Sequence, residues 1–338
     1  MKRFAALLLA VLLLGGCAPK EPQQSRYQAT FLELFDTVTT IVGYAPSEEA
    51  FRETSEAIHH ALASYHQLFD IYNTYPGVVN LKTLNQSAGI APVEVDGKIM
   101  ELLKFCREVY DATAGKVNIA MGSVLQLWHE ARESGIADPA NAKLPEEAAL
   151  EEAAKHTDLS QLILDEEAGT VFYADPEMRL DVGAIAKGYA LEQVCKTAPE
   201  GLLISVGGNV RATGAKPDGG SWVVGIQNPT GEDGYLHTVE VQDISVVTSG
   251  DYQRYYTVDG VSYHHIIDPE TLYPGRLWRA VTVLCPDSGL ADGLSTALFL
   301  LPQAEGQALL DKFGCEALWV DSENHLHYSP GFRDYIRT

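Results

Sequence analysis

Residues 255–268 read YYTVDGVSYHHIID, and the Asp259-Gly260 pair at its centre decides how the second half of the chain folds. An Asp-Gly pair between alternating apolar residues is a strong hairpin signal, because these residues accept the positive φ that a tight two-residue turn demands. Working outward, 202–284 is a series of short β-rich runs broken by glycine: LLISVGG, SWVVGIQNP, HTVEVQ, ISVVTSG and RAVTVLC. Helical spacing brackets this region. Upstream, Pro46-Ser47 opens a helix with Phe51, Ile58, Leu62, Tyr65 and Phe69 on one side. Asp96 opens another, with Ile99, Leu102, Leu103, Cys106, Val109 and Tyr110, and Pro145 to His156 reads as a solvated Ala/Glu-rich helix. Downstream, helices are expected over Leu290–Leu301 and Gln303–Phe313, then two short strands, EALWVD and HLHYS. Partly segregated helices and antiparallel strands predict an α+β fold in one large domain.

The charge balance narrows the partners. Of 338 residues, 46 are Asp or Glu and 24 are Lys or Arg, a formal charge of −22. Such a surface repels nucleic-acid backbones, and a phosphate-bearing ligand would need a local cation, for which a divalent metal is the natural candidate. The chain begins MKRFAALLLAVLLLGGC: two basic residues, an apolar run too short to span a bilayer, then Gly-Gly-Cys. Residues 1–16 read as a signal peptide, and Leu14-Gly15-Gly16-Cys17 resembles a bacterial lipobox with Cys17 carrying the lipid. Residues 17–30 are then expected to be a lipidated tether and 31–338 the domain. Without the leader, 22 basic face 46 acidic residues, a charge of −24. The membrane anchor would therefore be lipid and not a basic patch, at the extracytoplasmic face of the bacterial cell membrane. Cys106, Cys195, Cys285 and Cys315 show no zinc-ligand spacing, and the first two read as core thiols.

Several segments could carry chemistry. Residues 179–189, RLDVGAIAKGY, place Asp181 at a strand end and Lys187 in the first turns of a helix, a setting for phosphate or simply a solvated lysine beside a packing turn. In SVGGNVRATG, 205–214, the paired Gly207 and Gly208 allow either close approach to a ligand or a tight bend. His264 and His265 are adjacent on a strand, so they point to opposite faces and cannot both serve one site. Asp292 and Thr296, in ADGLSTAL, share a helical face and offer hard oxygens to a cation such as Mg²⁺. The plainer alternative makes Asp292 a helix cap and bonds Thr296 back to the preceding turn.

Taken in order, LDVGAIAKGY, SVGGNVRATG, VVTSGDYQRYY, HHIIDPETLYPG and ADGLSTAL resemble the ApbE family, the FAD:protein FMN transferases, from about Phe35 to the end. The resemblance implies that FMN moves from FAD to a Thr or Ser hydroxyl of an acceptor protein carrying an FMN-binding domain, with AMP released. It places FAD contacts on Phe35, Tyr72, Lys116, Val117, Asn118, Asp181 and Lys187, with Asn118 standing where the family has Asp. Lys187 and the Gly207-Gly208 backbone would fix the dinucleotide, and Ile267 would line the flavin pocket. It assigns Mg²⁺ to the Ala184 carbonyl, Asp292 and Thr296, and makes His265 the base. Leu272 replaces a usual Gly, so the loop after Pro269 is expected to be rebuilt. Two rivals remain: a lipid-anchored flavin-binding protein without turnover, and an FAD pyrophosphatase giving FMN and AMP.

Overall fold

The computed structural model describes residues 24–232 and 234–337. Its frame is an eight-stranded sheet in which every neighbouring pair is antiparallel and the strands follow in chain order. They are Ser25–Phe31, Thr39–Ala45, Leu202–Val206, Asn209–Ala212, Ser245–Gly250, Ala280–Cys285, Glu316–Val320 and Leu326–Tyr328. Because side chains alternate along a strand, Ile41, Ile204, Val247 and Val283 meet the helices on one face. Their neighbours Val42, Leu203, Val246 and Leu284 meet the Trp222–Gln227 and Tyr235–Val241 hairpin on the other. A sheet covered on both faces needs strands apolar throughout, and all of Ala280–Cys285 is buried. Among the described residues no helix is long and apolar enough to cross a membrane.

The α+β expectation holds, and the insertions between sheet strands carry the rest of the architecture. Residues 46–201 supply helices Glu48–Phe69, Gly97–Ala112, Gly122–Ala137 and Ala186–Cys195. Ser47 caps the first by accepting from Ala50 N at 3.2 Å, and Asp96 caps the second through Lys98 N at 2.8 Å. The Tyr255–Val258 and Val261–His264 hairpin turns on Asp259 and Gly260, at φ +50° and +80°, as the Asp-Gly pair requires. Cys106 and Cys195 are free thiols, as are Cys285 and Cys315, but Cys195 is only partly buried.

Two expectations change. The tether expected over 17–30 runs too far, because Ser25–Phe31 is a full strand paired with Thr39–Ala45. Tyr27, Ala29 and Phe31 alternate inward onto the helix layer, so the folded domain already includes Ser25. Cys17 and the leader lie outside the described residues. The loop after Pro269 is also not rebuilt: Leu272 itself adopts φ +63°, and its carbonyl accepts from Trp128 Nε1 at 2.9 Å. Leu272→Gly should relieve about 1 kcal/mol of left-handed strain while losing packing on Trp128 and adding chain entropy. Thermal unfolding should therefore shift by no more than about 1 kcal/mol. A loss above about 2 kcal/mol would make the Leu272 side chain a core anchor instead.

Candidate active site

A cavity of about 630 Å³ opens where the insertions converge at one end of the sheet. Its lining includes Phe35, Tyr72, Lys116, Val117, Asn118, Asp181, Ala184 and Lys187, and also Gly207, His265, Ile267, Asp292 and Thr296. Gly208 is not part of that lining. The Gly207-Gly208 turn, at φ +58° and +92°, closes the hairpin between Val206 and Asn209. Gly207 also lets Thr37 approach, since a Cβ there would lie 2.7 Å from the Thr37 side chain. One glycine thus touches the cavity and the other serves the bend.

Asp292 lies buried in the helix Ser288–Leu300, and the cap of that helix is Asp287, which accepts from Leu290 N at 2.8 Å. The capping alternative for Asp292 therefore fails. Its Oδ2 instead accepts from Gly188 N at 2.9 Å and stands 3.7 Å from Lys187 Nζ. Only glycine fits at 188, because a Cβ would come within 2.6 Å of the Asp292 Cβ. Burial pushes the Asp292 carboxyl above its ordinary range, against the pull of Lys187, the Gly188 N–H and Asn209. Thr296 keeps a long bond, 3.5 Å, from its hydroxyl to the Asp292 carbonyl, so the back-bonding alternative survives for this residue. Asp181 has the same tension: burial raises it, while the Gly183 N–H and the charges of His129, Arg254 and Lys187 oppose.

The adjacent histidines part company for a different reason from the one expected. The strand ends at His264, so His265 leaves it, and both residues reach the cavity lining. His264 is consumed structurally: Nε2 donates to Gly275 O at 2.7 Å, Nδ1 accepts from Ile266 N at 3.2 Å, and Phe299 packs edge-on. His265 Nδ1 is enclosed without a partner among the described residues. Burial, then Arg254, His264 and Lys187, push the His265 pKa down to about 3, and burial takes His264 to about 4.

A histidine whose folded pKa is depressed gives stability that is complete above its unfolded value, about 6.5, and lost as pH falls through the folded value. His265→Asn should therefore gain on the wild type by on the order of 1–2 kcal/mol between pH 7 and pH 5. The raised carboxyls act with the opposite sign and cancel in this comparison. Urea melts at the two pH values check it, and a difference that stays flat with pH would contradict the buried neutral imidazole.

Three expected contacts line the cavity and are also bonded or buried within the fold. Lys116 pairs with Asp268 at 3.2 Å and Glu270 at 2.9 Å, joining the cavity floor to the Pro269 loop. Asn118 donates to Thr157 O and accepts from Ala120 N, both at 2.9 Å, so its amide shapes the loop. Val117 is buried in the helix-layer core. Tyr72, by contrast, is half exposed at the rim, its ring 5.4 Å from His129. Sequence reading passed over His66, Trp128, His129, Arg132, Asn209 and Arg254, which also line the cavity.

A model of the ApbE family matches residues 35–319. The chain belongs to the ApbE family. It is 36% identical over 280 residues to a Treponema pallidum protein named FAD:protein FMN transferase, covering 76% of this chain and 75% of that one. A Haemophilus influenzae protein of the same name is 30% identical over 270 residues, with 77% of each chain covered. The crystal structure of the ApbE protein from Thermotoga maritima superposes with a TM-score of 0.82 at 30% identity, covering 93% of this chain and all of that one. The flavin transferase ApbE from Vibrio cholerae, 23% identical, shares the fold with a TM-score of 0.76 over 93% of this chain and 100% of that one.

Proposed function

We propose that this family member is an FAD:protein FMN transferase that moves FMN from FAD to a Thr or Ser hydroxyl of an acceptor flavoprotein and releases AMP. The observation that carries this is the convergence on one cavity of Asp292, Lys187 and His265, whose Nδ1 has no partner among the described residues, in a chain whose named relatives are transferases. A cavity of this volume falls within the range of small-molecule sites.

The donor set fits Mg²⁺. One buried carboxylate, a hydroxyl and a backbone carbonyl are hard oxygens, and Mg²⁺ binds through one or two carboxylates completed by substrate phosphates and water. Among the described residues no three His, Cys, Asp or Glu side chains gather as a metal cage. Asp292, Thr296 and the Ala184 carbonyl would hold it, and when bound it would neutralise pyrophosphate charge.

The residues divide the remaining work. Lys187 adds a positive charge beside Asp292, where a chain of charge −22 otherwise repels the pyrophosphate. The acceptor hydroxyl forms its bond to the FMN phosphorus as the bond to the AMP oxygen breaks, and His265 takes the hydroxyl proton. The low proton affinity of His265 rises when an anionic pyrophosphate lies beside it, because opposite charge favours the imidazolium. Incubating the protein with FAD, Mg²⁺ and a Thr-bearing acceptor domain separates the readings: covalent flavin supports transfer, free FMN points to a pyrophosphatase, and neither to a binding protein.

The location is part of the same reading. Cleavage before Cys17 with lipid on its thiol would tether the domain at the extracytoplasmic membrane face, supported by the 1–17 pattern alone. Intact-mass analysis of membrane-extracted protein should show a diacyl adduct on Cys17, and a soluble unmodified chain would contradict it.

A further inference from the structure

We propose that His66 is a positioning residue that holds the Phe35 wall of the cavity and links it to the arm carrying Tyr72. Calling these walls the FAD site rests on the function proposed above, whereas the link itself is a matter of hydrogen bonds. The Phe35 N–H donates to His66 Nδ1 at 3.2 Å. His66 Nε2 lies 3.2 Å from the Tyr75 hydroxyl, which donates to Asp70 Oδ2 at 2.7 Å. A hydroxyl has one proton, and here the carboxylate takes it, so the Tyr75 oxygen can only accept from Nε2–H. The two ends fix the roles of the ring nitrogens, with Nδ1 accepting and Nε2–H donating.

Both ends of the link need restraint. Phe35 and Asp36 stand at φ +53° and +51°, a consecutive left-handed pair that L-residues rarely adopt and that surrounding structure must enforce. At the other end Asp70 organises the Tyr72 arm, accepting from Tyr72 N at 2.6 Å, Asn73 N at 2.9 Å and Asn73 Nδ2 at 3.0 Å. His66 and Asp70 sit at the end of one helix, Glu48–Phe69, so that helix terminus sets the distance between two walls from separate loops. Asp292 and His265 belong to other elements, so loosening this link should weaken ligand binding far more than chemistry.

The test uses two amide substitutions that each copy one ring nitrogen. Asn Oδ1 stands where Nδ1 stands, and Gln places its terminal amide where Nε2 stands. In FAD-free protein, His66→Gln should speed hydrogen exchange at the Phe35 amide by about tenfold, the worth of one hydrogen bond. His66→Asn should stay within about threefold. FAD affinity, read by flavin fluorescence, should fall in the same order, while AMP release at saturating FAD with the Thr-bearing acceptor present stays within about threefold in both. Tyr75→Phe, which keeps every ring, is the milder second probe and should give an intermediate exchange rate. Equal losses in the Asn and Gln variants, or wild-type exchange in the Gln variant, would overturn the proposal. If the wild type bound no FAD while the exchange order held, the function reading would fall and the His66 link would stand.

Discussion

His265→Ala is expected to retain FAD but lose FMN transfer by roughly 10²- to 10⁴-fold, the usual worth of a general base. The ground is structural: His265 lies just past the strand end, on the cavity lining, with an Nδ1 that has no hydrogen-bond partner among the described residues. His264→Ala should behave differently. It removes the bonds to Gly275 O and Ile266 N and a ring packed on Phe299, so its cost should appear as lost stability. Scoring FAD affinity, unfolding and turnover separately distinguishes the two. Greater loss of turnover in a folded His264→Ala protein than in His265→Ala would reassign the base.

Asp292→Asn is expected to cost on the order of 10²- to 10³-fold in transfer, comparable to losing a main electrostatic contact to a phosphoryl-transfer site. The amide keeps an oxygen for Gly188 N, so the helix packing survives and the change is one of charge. It also strands Lys187, whose ammonium stands 3.7 Å from the carboxylate. Titrating Mg²⁺ against AMP release should show a raised metal requirement, with Thr296→Ala milder. An unchanged requirement in Asp292→Asn would mean that the carboxylate serves only to hold Gly188.

Much of this was legible because strand and turn chemistry are local. Asp259-Gly260 announced its hairpin, and Asp96 and Ser47 announced their helices, since a cap or tight turn is specified within a few residues. The first strand was missed where polar Arg26, Gln28 and Thr30 masked the alternation of Tyr27, Ala29 and Phe31, which reads as a strand only once a sheet edge is there to receive it. Strand alternation said only that the two histidines cannot share a site, and the resemblance picked His265; the strand stops at His264 and both line the cavity, so their separation comes from what each bonds. Lys116 and Asn118 came only through the resemblance, and their bonds to Asp268, Glu270 and Thr157 were not legible because those partners are distant in the chain. His66, His129, Arg132 and Arg254 carry no motif, and only the folded insertions bring them to one cavity.

The left-handed Leu272 shows the reverse case. The residue type argued for a rebuilt loop, but Trp128 and the Asp268 carbonyl, which accepts from Leu272 N at 2.8 Å, hold the turn regardless. Local preference of about 1–2 kcal/mol is small enough for such contacts to override.

The central claim, that a protein hydroxyl and not water receives the FMN, is tested by quantifying AMP and acceptor-bound flavin together, with FAD and Mg²⁺ present and the acceptor Thr intact or changed to Ala. The account predicts one AMP released per flavin bound to the intact acceptor, and AMP release near background with the Ala acceptor. AMP released at the same rate with both acceptors, accompanied by free FMN, would contradict it.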